Sequence, residues 1–131
     1  MAESTQAPPA AGTFCWNELM TPDAGAAKRF YGELLGWTSE DMDMGEMGTY
    51  TLFRKGDQHV GGMMPMVGDC WEGVPPHWMS YVAVDDVDAS TKKAEQLGGK
   101  VCVPPTDIPN VGRFSVITDP TGATISLFKG G

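Results

Sequence analysis

Basic residues are scarce in this chain. Nine Lys and Arg stand against 17 Asp and Glu over 131 residues, a formal net charge of −8 with a pI near 4.5. Nucleic acid and anionic membrane surfaces require a basic footprint, so both partner classes are excluded. Long apolar runs are missing too: nothing approaches the roughly 18 consecutive residues of a spanning helix. Cysteine is sparse and odd in number. Cys15, Cys70 and Cys102 stand far apart without a C-x-x-C pair, which fits neither a disulfide framework nor a structural zinc site. They read as ordinary buried thiols in a reducing compartment. Residues 1–12 lack the basic and apolar stretches of a signal peptide and read as a flexible leader. The expected location is the cytoplasm. Only two histidines occur. His59 falls at a turn between strands and His77 follows Pro75-Pro76, so both read as solvated turn residues. No nucleophile–base spacing is present.

What is present is a globular composition, 41% hydrophobic and 20% charged, at a length suited to one domain. Thr13–Met20 reads as a strand, and Thr21-Pro22-Asp23 as a helix start. Ala24–Leu35 places Ala27, Phe30, Tyr31, Leu34 and Leu35 at helical spacing, and Gly36 supplies a C-cap. Strands are expected at Trp37–Met42, Thr49–Arg54 and Gln58–Met66, with turns at Gly45–Gly48 and Lys55-Gly56-Asp57. After a Gly- and Pro-bearing linker, Val67–Pro76, the pattern restarts. His77–Val84 is a strand, Asp85–Asp88 opens a helix to Leu97, and Gly98-Gly99 ends it. Strands follow at Lys100–Val103, Arg113–Thr118 and Thr124–Phe128, the last two joined by Asp119-Pro120-Thr121-Gly122 as a type I turn. The pattern is an internal repeat. A shift of 63 (86 − 23) carries Asp23 onto Asp86, Leu34 onto Leu97, Gly36 onto Gly99 and the first tight turn onto the second. Each half reads β-α-β-β-β, over residues 13–66 and 77–129. A module of about 55 residues buries too little of its own sheet to stand alone, so the halves should pair.

Three motifs in this order resemble the vicinal oxygen chelate superfamily, which holds glyoxalase I, bleomycin-resistance proteins and extradiol dioxygenases. They are Asp23…Lys28-Arg29-Phe30-Tyr31…Leu35-Gly36-Trp37, the passage Val82-Ala83-Val84-Asp85-Asp86-Val87-Asp88, and Asp119-Pro120-Thr121-Gly122. The wording is closest to an actinobacterial-type glyoxalase-like branch. The resemblance implies an α+β fold of paired βαβββ modules whose curved mixed sheets enclose a cavity. It also implies a divalent metal held by the first and last strands of each module. Counted from the motifs, the ligand places are Trp16, Met63, Met79 and Ser126. None suits a catalytic divalent ion, because Trp offers only an N–H, Ser is a weak neutral ligand and thioethers prefer copper(I). No metal and no other cofactor is expected.

Strand alternation then lists the side chains sharing a face with those places. They are Trp16, Glu18 and Met20 on the first strand, Met63 on the fourth, Met79 and Tyr81 on the fifth, and Ser126 and Phe128 on the last. With Arg113 they make the expected pocket for a small apolar or aromatic molecule. Glu18 is the candidate catalytic residue: a carboxylate in an apolar cavity must be paired, solvated or functional. Arg113 is the first choice of partner, with Arg54 and Lys55 as alternatives. Unpaired, Glu18 has the chemistry of a general base beside a carbonyl. Two functions follow: a binding protein of the bleomycin-resistance type, or a lyase, isomerase or dioxygenase relative, metal-free or with an unorthodox metal site. A homodimer is expected, with a small-molecule ligand and no nucleic acid or membrane as partner.

Overall fold

The structure is a computed structural model that describes residues 10–43, 45, 48–66, 73–108 and 111–130. Most of the expected linker, part of the leader, residues 44, 46 and 47 of the Met42–Met47 stretch, and Cys70 lie outside them. The described residues form eight strands and two helices, an α+β set in the expected order. They divide into two compact units, residues 17–78 and residues 10–16 with 79–130.

In the first unit, β1 (Phe14–Thr21) leads into α1 (Ala24–Leu35), followed by β2 (Thr38–Asp43), β3 (Thr49–Lys55) and β4 (Gln58–Pro65). The strands lie in the order β2-β3-β4-β1, antiparallel except for the parallel pair β1–β4. The crossover that makes this pair parallel is α1 with the β2–β3 hairpin. Asp23 caps the helix by accepting from the Ala26 N–H at 3.0 Å. Gly36 closes it at φ 74°, its N–H donating to the Gly32 carbonyl at 2.9 Å. Leu19, Phe53 and Met63 form the core beneath this helix, with Ala27, Tyr31 and Trp37 packed on them. Phe30 and Leu34, counted by spacing on the apolar stripe, are 58% and 61% exposed. The packed stripe is the narrower Ala27–Tyr31 one.

The second unit repeats the plan with β5 (His77–Ala83), α2 (Val87–Gln96), β6 (Lys100–Ile108), β7 (Gly112–Thr118) and β8 (Thr124–Gly130). The strand order is β5-β8-β7-β6, with β5–β8 the parallel pair. The sixth strand runs five residues past its expected end at Val103. Pro104 and Pro105 are accommodated because the β6–β7 register shifts between Val103 and Thr106, leaving the prolines out of the ladder. The Asp119 carboxylate accepts from the Thr121 and Ala123 N–H groups at 2.8 and 3.1 Å, holding the expected turn. On α2, Val87 and Thr91 face the sheet, and Thr91 Oγ1 meets Ser115 Oγ at 2.7 Å with both residues buried.

Replacing Thr91 with Val removes the partner of a fully buried Ser115 hydroxyl. Urea denaturation should show a loss of about 1–3 kcal/mol, and Ser115→Ala in the same chain should return part of it.

Candidate functional site

Each sheet has one side covered by its helix and one side free of it, and strand register assigns the side chains between them. In the first unit Leu19 pairs with Met63, and Thr51 with Met63 from the other neighbour. All three therefore belong to the helix side with Phe53. Glu18 pairs with Gly62, and Leu52 with Gly62. The helix-free face thus carries Glu18 and Met20 from β1, Gly62 and Met64 from β4, and Tyr50 and Leu52 from β3. Glu18 is 3% exposed and Met20 equally so. Tyr50 is half-buried, and its ring and hydroxyl fill the space where a side chain on Gly62 would begin.

In the second unit the parallel pair places Tyr81 opposite Ser126 and Ala83 opposite Phe128. The antiparallel pair adds Val116 opposite Ser126 and Phe114 opposite Phe128. This helix-free face is apolar and aromatic, with Met79, Tyr81, Phe114 and Val116 all buried and the Tyr81 and Phe128 rings edge to face at 6.2 Å. Ser126 is wholly buried, and its Oγ has no hydrogen-bond partner among the described residues.

A sequence model of the glyoxalase/bleomycin resistance protein/dioxygenase superfamily matches residues 13–127. The chain belongs to that superfamily. It is 45% identical over 120 residues to a Mycobacterium tuberculosis protein provisionally named glyoxylase CFP32, covering 90% of this chain and 44% of that one. It is 33% identical over 133 residues to the anthracycline biosynthesis protein DnrV of Streptomyces peucetius, covering 93% and 48%. The chain spans about half the length of these curated relatives. Among solved structures, methylmalonyl-CoA epimerase from M. tuberculosis superposes with a TM-score of 0.65 at 15% identity, covering 96% of this chain and 93% of that one. The Mn(II)-bound glyoxalase from Novosphingobium aromaticivorans gives 0.57 at 20% identity, covering 91% and 39%. These two establish a shared fold.

For this superfamily member the register moves two expected pocket residues. Met63 lies in the helix-side core with Leu19 and Phe53, away from the face of Glu18. The single shift of 63 (81 − 18) holds for β1 onto β5, but the last strands align at 64 (126 − 62). The counterpart of Ser126 is therefore Gly62. Arg113 shares the helix side with Ser115, where its guanidinium binds Asp88 Oδ1 and Oδ2 at 2.9 Å each and Asp107 Oδ1 at 2.8 Å. It lines an open cleft of about 570 Å³ at the start of α2, with Asp86, Ile108 and Lys129. The alternatives for Glu18 are also engaged: Arg54 pairs with Glu40 at 3.1 Å, and Lys55 donates to the Leu35 carbonyl at 3.0 Å. Trp16, Met20, Met79, Tyr81, Ser126 and Phe128 keep their expected strand parity. Trp16 and Phe128 are half-buried and the other four are buried.

The histidines and thiols complete the placement. His59 lies in β4, not in a turn, and partial burial pushes its imidazole below the usual value. His77 opens β5, its Nδ1 2.9 Å from the Pro75 carbonyl. Cys102 is exposed, against the expectation of burial, because it sits in the β6 stretch where the register shifts. Cys15 is half-buried, and desolvation raises its thiol.

The divalent metal that the superfamily implies needs imidazole, thiolate or carboxylate donors. Among the described residues no three His, Cys, Asp or Glu side chains come together. The corrected positions offer an indole, a glycine, a thioether and a neutral hydroxyl, which do not fit such an ion. Tyr50 was missed by sequence reading. The signal that could have found it is Gly62, since a glycine inside a strand marks a place where another group approaches closely.

The ion pairs on the helix side set an acid limit. Hydrogen bonds from Arg113 hold the Asp88 carboxyl below its usual value, and Lys28 does the same for Asp41. A depressed folded pKa stabilises above the unfolded value near 4 and is lost as pH falls through the folded one. Melting temperature should therefore drop below about pH 4, and Arg113→Met should flatten that drop in a calorimetric pH series.

Proposed function

We propose that this chain binds a small apolar or aromatic molecule on its helix-free sheet faces, as a glyoxalase/bleomycin-resistance-type protein with a degenerate metal site. The observation that carries the reading is Glu18, a carboxylate 3% exposed on the same face as Met20, Met64, Tyr50 and Leu52. An apolar wall with few polar anchors is the usual make-up of a small-molecule site. Met79, Tyr81 and Phe128 supply the same kind of wall in the second unit. The names of relatives support small-molecule chemistry: one belongs to anthracycline biosynthesis, and a Streptomyces coelicolor epimerase of this fold holds 2-nitronate-propionyl-CoA. Arg113 is left out of the pocket because Asp88 and Asp107 already engage it. A homodimer in the cytoplasm, without nucleic-acid or membrane partners, is part of the same reading.

The buried carboxylate favours a second reading on the same residue. Glu18 acting as a general base would make the chain a metal-free lyase or isomerase, removing a proton beside a ligand carbonyl. Both readings depend on Glu18, and they part on turnover.

Native mass spectrometry of protein purified without chelator tests the proposal. The expected spectrum shows a bound organic molecule and no stoichiometric metal. Stoichiometric zinc, nickel, iron or manganese would overturn it. Glu18→Gln should weaken binding of the co-purified molecule about tenfold or more, because a hydrogen bond to a charged acceptor contributes about 1.5–3 kcal/mol.

A further inference from the structure

We propose that the outward face of α1, built on Phe30 and Leu34, is a self-association surface that takes the α1 helix of a second copy of this chain in antiparallel orientation. The inference rests on the homodimer in the reading above, gives that dimer a place, and asks nothing of the ligand site.

Phe30 and Leu34 stand one helical turn apart and are 58% and 61% exposed, with Leu35 beside them at 41%. Aromatic contacts extend the patch. The Phe30 ring meets Tyr31 edge to face at 5.0 Å, and Tyr31 meets the exposed Trp78 at 5.5 Å. A ring already held by its neighbours loses little freedom on binding, which suits Phe30 as an anchor. The fold does not demand an apolar residue there. The repeat shift of 63 sets Lys93 on Phe30 (30 + 63) and Leu97 on Leu34. The second helix packs on its sheet through Val87 and Thr91 with a lysine in that place, so α2 has no matching stripe.

Charge selects a second copy as the occupant. The chain carries a formal net charge of −8, so two copies repel over most of their surface. Helix α1 departs from that balance: its charged residues are Lys28, Arg29 and Glu33, a net +1 (2 − 1). Lys28 is taken by Asp41. Arg29 and Glu33 are exposed and make no ion pair among the described residues. They stand four residues apart along one edge of the stripe, just as Phe30 and Leu34 do. In an interface with two-fold symmetry, residue i meets residue j and j meets i. Two antiparallel α1 helices crossing at residues 31 and 32 therefore set Arg29 against the partner's Glu33 and Phe30 against the partner's Leu34. One crossing satisfies the apolar stripe and both charges. The 12 residues of α1 span about 18 Å, which offers less than the roughly 800 Å² per partner of a stable complex. The dimer is therefore weak and forms in the micromolar range.

Sedimentation equilibrium of the full chain across the micromolar range tests this, and a monomer–dimer equilibrium is the expected result. Phe30→Lys should weaken the dimer about a hundredfold, since a symmetric interface loses the anchor twice. Arg29→Glu and Glu33→Arg should each weaken it about tenfold, because each sets like charges against one another at two places. The chain carrying both changes should recover the original equilibrium, which a merely destabilised helix would not do. Far-UV circular dichroism checks that the helices persist in each variant. A dimer indifferent to Phe30→Lys overturns the assignment of α1 and leaves the homodimer standing. Failure of the double charge exchange to recover association overturns the antiparallel arrangement. A chain that stays monomeric throughout overturns both this surface and the homodimer, while native mass spectrometry for a bound organic molecule decides the ligand reading separately.

Discussion

A side chain on a strand has two directions to point, and the parallel pairing of Glu18 with Gly62 selects between them for the whole first sheet. Once that alignment is set, Leu19 and Met63 must enter the helix-side core, while Glu18, Met20 and Met64 must lie on the other side. The hydrophobic demand of Leu19, Phe53 and Met63 beneath α1 holds the alignment in place. A slip by one residue would turn Glu18 toward the helix side and expel Leu19 from it. Burying a full Leu or Phe side chain contributes about 1.5–3 kcal/mol, and losing that burial opposes the slip.

The same economy explains why the charged residues sit where they do. Lys28–Asp41 and Arg54–Glu40 have partly exposed side chains, as do Arg113–Asp88 and Arg113–Asp107. Pairs in that setting are screened by water and contribute little, so they do not hold the sheets. The buried polar contact between Thr91 and Ser115 matters more, because it ties α2 to β7 where an apolar contact would otherwise stand. On α1 the corresponding role falls to Tyr31. It stacks with Trp37 at 5.5 Å between centroids and accepts a hydrogen bond from Trp78 Nε1 at 3.0 Å. That arrangement leaves Phe30 and Leu34 facing solvent.

The helices and turns were legible from the chain because their signals are local. Asp23 and Asp86 cap helices through contacts three residues away, and Gly36 needs only its own φ to end one. The helix α1 has the bounds expected from its periodicity, and the βαβββ order follows from punctuation alone. The candidate site was legible only in part. Glu18, Met20, Met79, Tyr81, Ser126 and Phe128 keep their parity because each was counted along a single strand. Met63 was placed by carrying a repeat shift across two turns and a bulge, where one residue of slippage reverses the face. Arg113 was placed by charge alone, and two aspartates remote in sequence claim it. Tyr50 escaped notice because its placement depends on the missing side chain of Gly62 on another strand.

Local backbone chemistry and periodicity thus determined, from the sequence by itself, the elements, their order, the repeat and the superfamily. Only the tertiary structure decided which residues share the face of Glu18. That outcome is set by register between strands far apart in the chain. A shift of one position there costs nothing in composition or periodicity, yet it turns every side chain to the opposite side.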